Sequence, residues 1–324
     1  MPLDTKNIRP APQPVTPNTP TDTKPSTPQH RATDSVDSFA KSGPSGHAPT
    51  SLPSGPMPSA PSEVRATTTR SASTGRIPTL PAEVHRALVE LSAPSTVRDL
   101  EDFASRIERI NDIFVAHKDP RGAFPALYTV ITNYGLKSIQ EERYEDMDWG
   151  TKLVTDFGDL YLENLHAHLT GKPASPGWTR YYNLADNPNV SLERLVSVGA
   201  TVHLVIDLPE SLARIGTPPE REQDFMRFGD ILLEGYPDML ASARDGHDID
   251  MSEIFGLFGP GNLVDSMHGE GTSTRFGFQT IRRKAWIFGQ WKQDIRSLAA
   301  RAEIAISWRT IDGILANLDA AKIL

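Results

Sequence analysis

The chain has 324 residues, a net charge of −8 and no cysteine, which excludes disulfides, thiolate nucleophiles and cysteine-based zinc sites. Residues 1–78 carry +3, leaving −11 on residues 79–324, an acidic body that argues against binding a nucleic-acid backbone. No run approaches the ~18 uninterrupted apolar residues of a transmembrane span, and the N-terminus lacks the apolar core of a cleavable secretory signal. The expected location is the cytoplasm, or outside the cell by a route that uses no such signal.

Residues 1–78 hold 15 of the 27 prolines, and Phe39 is their only aromatic. So little apolar surface cannot offset the ordering entropy of roughly 1–2 kcal/mol per backbone residue, so this stretch reads as a disordered arm. Residues 79–324 suffice for one sizeable core. From Leu80 onward the apolar period is helical and strand-like alternation is nowhere sustained, so the fold class is all-α, a single helical domain. Pro81 opens a first helix, and Ser95 or Thr96 is placed to cap the next, VRDLEDFASRIERINDIFVAH. After Asp119-Pro120-Arg121-Gly122 comes a stripe of Phe124, Leu127, Tyr128, Ile131 and Leu136. A further helix, MDWGTKLVTDFGDLYLENLHAHL, closes at Gly171 and Pro173. The segment Leu192–Leu212 is apolar on most of its circumference and belongs in the middle of the fold. Ile215 to Pro219 marks a break, and Pro237 ends or kinks the helix that follows. Residues 246–272 are rich in Gly and Asp and read as a lid-like insertion with short helices around Ile254–Phe258 and Leu263–Met267. A long helix starting at Thr272 or Ser273 reaches about Trp308, with one more to Leu324.

Four sets of residues carry chemistry. His203 and Asp207 lie one turn apart on the apolar helix, and a buried aspartate needs a partner. The pair either ligates an ion or orients the imidazole, or else is a hydrogen-bonded pair that specifies packing. Asp156, Asp159, Glu163 and His166 fall on one side of their helix, opposite Leu153, Phe157, Leu160, Tyr161 and Leu165. Facing His203, this ridge completes a divalent-metal site of mixed N and O ligands (His203, Asp207, Asp156, Asp159, His166) suited to Zn, Mn or Fe; facing water, it is an ordinary solvated face. His247, Asp248, Asp250, Asp265, His268 and Glu270 lie in the Gly-rich insertion, as part of a lid or of an acidic surface loop, and they lack the calcium-loop pattern. Arg282 and Arg283 precede Trp286; an inward arginine clamps a carboxylate or phosphate, or bridges to Asp207 or Asp230. Tyr128, Tyr161, Trp178 and Trp286 are placed to line a pocket in a small-molecule-binding bundle.

The order RGAF..LY..IT, Asp146 and Trp149, DFGDLYL, P..GW, VHLVIDLPESL, DFMRFGDILL and IRRKAW resembles the bacterial domain of unknown function 5995 family over about residues 120–290. The resemblance implies that the family's central His and Asp fall on His203 and Asp207, followed by Leu208 and Pro209. It places the late Arg on Arg282 or Arg283 and the Trp on Trp286. Val202 stands where the pattern has alanine, and Gly229 or Asp230 where it has asparagine.

Two functional readings follow. In the first the chain is a metal-assisted hydrolase: His203, Asp207 and members of the Asp156–His166 ridge bind an ion that activates water, while Arg282 or Arg283 holds an anionic group of a small-molecule substrate. In the second it is a non-catalytic interaction or effector protein with an unidentified protein partner, and its His/Asp pair is structural.

Overall fold

A computed structural model describes residues 75–251 and 272–324, and these are helical with no strand among them. Residues 1–74 of the expected arm and most of the expected lid, with its two short helices and Asp265, His268 and Glu270, lie outside the described residues. The last residues of the arm pack on the helices: Arg76 Nη1 donates to the Val190 carbonyl (2.6 Å), and the Ile77 N–H donates to Asp186 Oδ1 (3.1 Å).

The helices are α1 (Ala82–Leu91), α2 (Leu100–Ala116), α3 (Ala123–Gln140), α4 (Met147–Leu169), α5 (Pro176–Ala185), α6 (Leu192–Val202), α7 (Leu208–Arg214), α8 (Glu222–Glu234), α9 (Tyr236–His247), α10 (Thr272–Lys292) and α11 (Ser297–Ala320). Side-chain caps start several of them. Asp99 accepts from the Asp102 N–H (2.7 Å), Asp146 from Trp149 (2.9 Å) and Ser191 from Arg194 (3.1 Å). The α2 cap is therefore Asp99 rather than Ser95 or Thr96, because Pro94–Thr96 forms a separate 3-10 turn. Thr170 closes α4 and Gly171 follows at φ 70°, the left-handed conformation expected of it. Pro237 opens α9 from its first turn, which suits a residue without an N–H.

The last helix differs from expectation. Instead of running to Trp308, α10 stops at Lys292, because the Asp294 side chain accepts from the Arg296 N–H (2.7 Å) and turns the chain before α11.

At the centre α3 packs against α2, α4, α6, α8 and α9, while α7 packs against α4 and α10. The stretch Leu192–Arg214 has the length and hydropathy of a membrane span, and most of it is buried within this fold. It is not one uniform helix. Between α6 and α7, His203–Asp207 forms a π-turn in which the Leu208 N–H reaches back to the His203 carbonyl. Pro209 accounts for it: its ring crowds the carbonyl four residues back and it has no N–H to offer, so the turn widens.

Candidate functional site

The wide turn carries the expected pair. His203 and Asp207 are 2 % and 3 % exposed, with Nδ1 2.9 Å from Oδ2. The same Oδ2 accepts the indole N–H of Trp178 at 2.8 Å. Gly177 makes that possible: a Cβ there would lie 2.8 Å from Ile206 and 2.9 Å from Val202, so glycine lets the start of α5 press against the π-turn. Phe157 stacks on the imidazole (3.7 Å between centroids, 15° between planes), and Tyr128 and Phe124 meet it edge-on at 4.7 and 5.4 Å. Phe124 is positioned in turn by Tyr181, whose hydroxyl donates to the Arg121 carbonyl (2.9 Å) and accepts from the Phe124 N–H (3.1 Å). Arg121 forms a buried ion pair with Asp119. This network gives the Arg121–Phe124 motif a physical purpose.

An ionised Asp207 fixes the tautomer: Nδ1 donates and Nε2 keeps its lone pair. Burial holds the imidazole below its usual range and pushes the carboxyl above its own, each shift opposed by the bond between them. His203 Nε2 is itself buried and has no hydrogen-bond partner among the described residues.

Beside this ring lies a cavity of about 90 Å³, walled by Phe124, Phe157, His203, Leu232, Met239 and Phe278 among others. Only carbon faces the empty space, and His203 contributes to its wall without exposing a nitrogen there. Tyr128, Tyr161 and Trp178 belong to the cluster around His203, but Trp286 packs on Phe225 instead, at 5.1 Å.

The expected metal-ligand set does not assemble. Asp156 pairs with Arg214 (3.2 Å), as does Glu163 (3.0 Å), on the α7 side. Asp159 Oδ1 is buried without a partner, and burial together with Glu163 and Asp156 raises its pKa to about 6. His166 turns toward α1, its Nδ1 3.0 Å from the Val89 carbonyl oxygen. Among the described residues no group of three or more His, Asp or Glu side chains could hold an ion. The helical spacing placed these residues along one ridge, but packing aims their side chains at different neighbours.

The two arginines separate. Arg283 is exposed and reaches Glu222 (3.3 Å), away from the cavity. Arg282 is fully buried, yet bridges to neither Asp207 nor Asp230; its Nη2 donates to the Phe225 carbonyl. Asp230 accepts from Gln279 instead, at 2.8 Å. Near the insertion, His247 is packed against Gly122, its Nε2 without a partner, and Asp248 ends α9 in a left-handed conformation. Trp178 as the second donor to Asp207, and the phenyl rings around Arg282, were missed in the sequence. The P..GW motif was the only signal for the first.

Comparison with curated proteins and with solved structures finds no match. A family model matches residues 100–307, a wider span than the quoted motifs, and takes in the π-turn and both arginines. The chain therefore belongs to the family of unknown function DUF5995.

Proposed function

We propose that this protein binds a small, largely apolar molecule in the His203 cavity and uses the Asp207-oriented imidazole as a general base toward an O–H presented there. The observation that carries this reading is the buried, unpartnered Nε2 of a histidine whose other nitrogen is fixed by a carboxylate at 2.9 Å. A buried acceptor without a partner is costly, and a tautomer fixed in this way supports proton abstraction from a bound hydroxyl or from water. Hydrolysis then runs with His203 Nε2 taking a proton from a water that attacks the ester carbonyl. The acyl–oxygen bond breaks, the imidazolium returns the proton to the departing oxygen, and the acid is left. The acidic ridge of α4 serves as an ion-paired face. At about 90 Å³ the cavity is smaller than the ~150 Å³ that holds benzene, so it takes only the branched alkyl end of such a ligand, with the polar end left at its wall. A small shift of the cavity wall brings the ligand hydroxyl to Nε2.

Calorimetry with 4-methylpentan-1-ol and hydrolysis of the p-nitrophenyl ester of 4-methylpentanoic acid test this. The parent is expected to bind the alcohol, and His203→Gln to lose the ester hydrolysis. Because burial lowers the imidazole pKa, the rate should hold its plateau as pH falls through 6.5 and decline only below that. Hydrolysis unchanged in His203→Gln contradicts the reading.

A second reading, an interaction protein, has its own support. Among the described residues the exposed large apolar side chains Ile287, Ile295, Leu298, Ile306, Ile314 and Ile323 all fall within or between α10 and α11 or just after them. Under it, Leu298→Asp with Ile306→Asp would abolish association measured by light scattering and leave the cavity chemistry unaffected.

A further inference from the structure

Buried cations elsewhere in this fold are matched. Arg121 lies on Asp119, and Arg194 on Asp312 and Asp319. Arg282 is different: it is 0 % exposed and, among the described residues, makes no ion pair, and its Nε and Nη1 have no acceptor. Three phenyl rings surround it instead, those of Phe225, Phe228 and Phe278 at 4.2, 5.2 and 5.6 Å from the guanidinium carbon. Ring faces offset part of the lost hydration but supply no counter-charge. Burial lowers its pKa to about 9, Tyr144 and Asp230 opposing the shift without pairing with it, which leaves it charged at neutral pH. Gly229 is shaped to this side chain, since a Cβ there would lie 2.3 Å from Nε.

We propose that Arg282 is the anion-recognition group of the His203 cavity, receiving the carboxylate of a short-chain monocarboxylic acid whose alkyl end fills the cavity. This rests on the cavity reading given above. Phe278 links the two places: its ring covers the guanidinium and also lines the cavity, as does Ile281, the residue before Arg282. Turning Phe278 aside joins them. One guanidinium among phenyl rings matches one negative charge. A phosphate monoester, with nearly two charges at pH 7, would leave one unmatched.

The test uses the full chain at pH 7, with sodium 4-methylpentanoate, 4-methylpentan-1-ol and sodium chloride as probes, in the parent and in Arg282→Met. The parent should bind the carboxylate about tenfold or more tighter than the alcohol, as a charge-assisted bond implies. In Arg282→Met that preference should vanish, and the ligand-free melting temperature should hold or rise, because an unpaired buried charge is gone. Equal binding of alcohol and carboxylate by the parent overturns the role of Arg282 and leaves the cavity reading standing. Binding of neither probe overturns both. Stabilisation by chloride equal to that by the carboxylate, at equal concentration, overturns the carboxylate assignment in favour of a small inorganic anion. If Arg282→Met does not fold, the comparison within the parent decides.

Discussion

His168 and His203 both stack on aromatic rings, the half-buried His168 on Tyr182 at 3.9 Å, and burial lowers the pKa of both. Only His203 has a carboxylate on one nitrogen, which is what turns a neutral imidazole into an oriented base. His168 faces Arg121 (3.5 Å), and burial with that nearby cation brings its pKa to about 4 from an ordinary 6.5. Between those values the unfolded chain binds the extra proton and the folded one does not, so stability is lost as pH falls from 6.5 to about 4. Urea titrations at several pH values should show His168→Gln losing less stability than the parent over that window; equal slopes would contradict the burial of this ring as a neutral group. The His203–Asp207 relation was legible in the sequence because one-turn spacing is local. The choice between Arg282 and Arg283 was not, since adjacent helical residues point about 100° apart and only packing against α8 decides which turns inward.

At the scale of elements, helical periodicity was fully legible, whereas departures from regular helix were not. The π-turn depends on how Pro209 is accommodated inside a packed helix, and a proline near a helix start is equally compatible with a break. The turn at Asp294 competes with a continuous apolar period, and one side-chain bond to the Arg296 N–H tips the balance. The ridge of α4 failed as a metal site because a helix fixes which residues share a side, while its rotation against α7 and α1 fixes what they meet. The contact of α5 with the π-turn makes its own prediction. Gly177→Ala places a methyl against the stiff Val202 side chain and should cost about 1–3 kcal/mol in urea unfolding, as overpacking does. It should also weaken the Trp178–Asp207 bond, visible as a shift of the indole N–H resonance. A variant with parent stability and an unmoved indole signal would show that the close approach is not needed.

Across the whole molecule, helices on every side of α3 and the α6–α7 stretch keep water from one imidazole, and the large apolar side chains left exposed are concentrated at α10 and α11. A central polar group walled off in this way was legible from the apolar character of Leu192–Leu212. The cavity beside it was not, because empty space is set by side chains from several helices distant in sequence, such as Phe124, Leu232 and Phe278. The most direct test of the account is the ¹⁵N resonance pair of the His203 ring in the full chain, assigned by its absence from His203→Gln. At pH 7 Nδ1 should be protonated and Nε2 unprotonated, and the Nε2 shift should move when 4-methylpentan-1-ol is added. A proton on Nε2 at that pH, or an Nε2 signal indifferent to saturating alcohol, would contradict it.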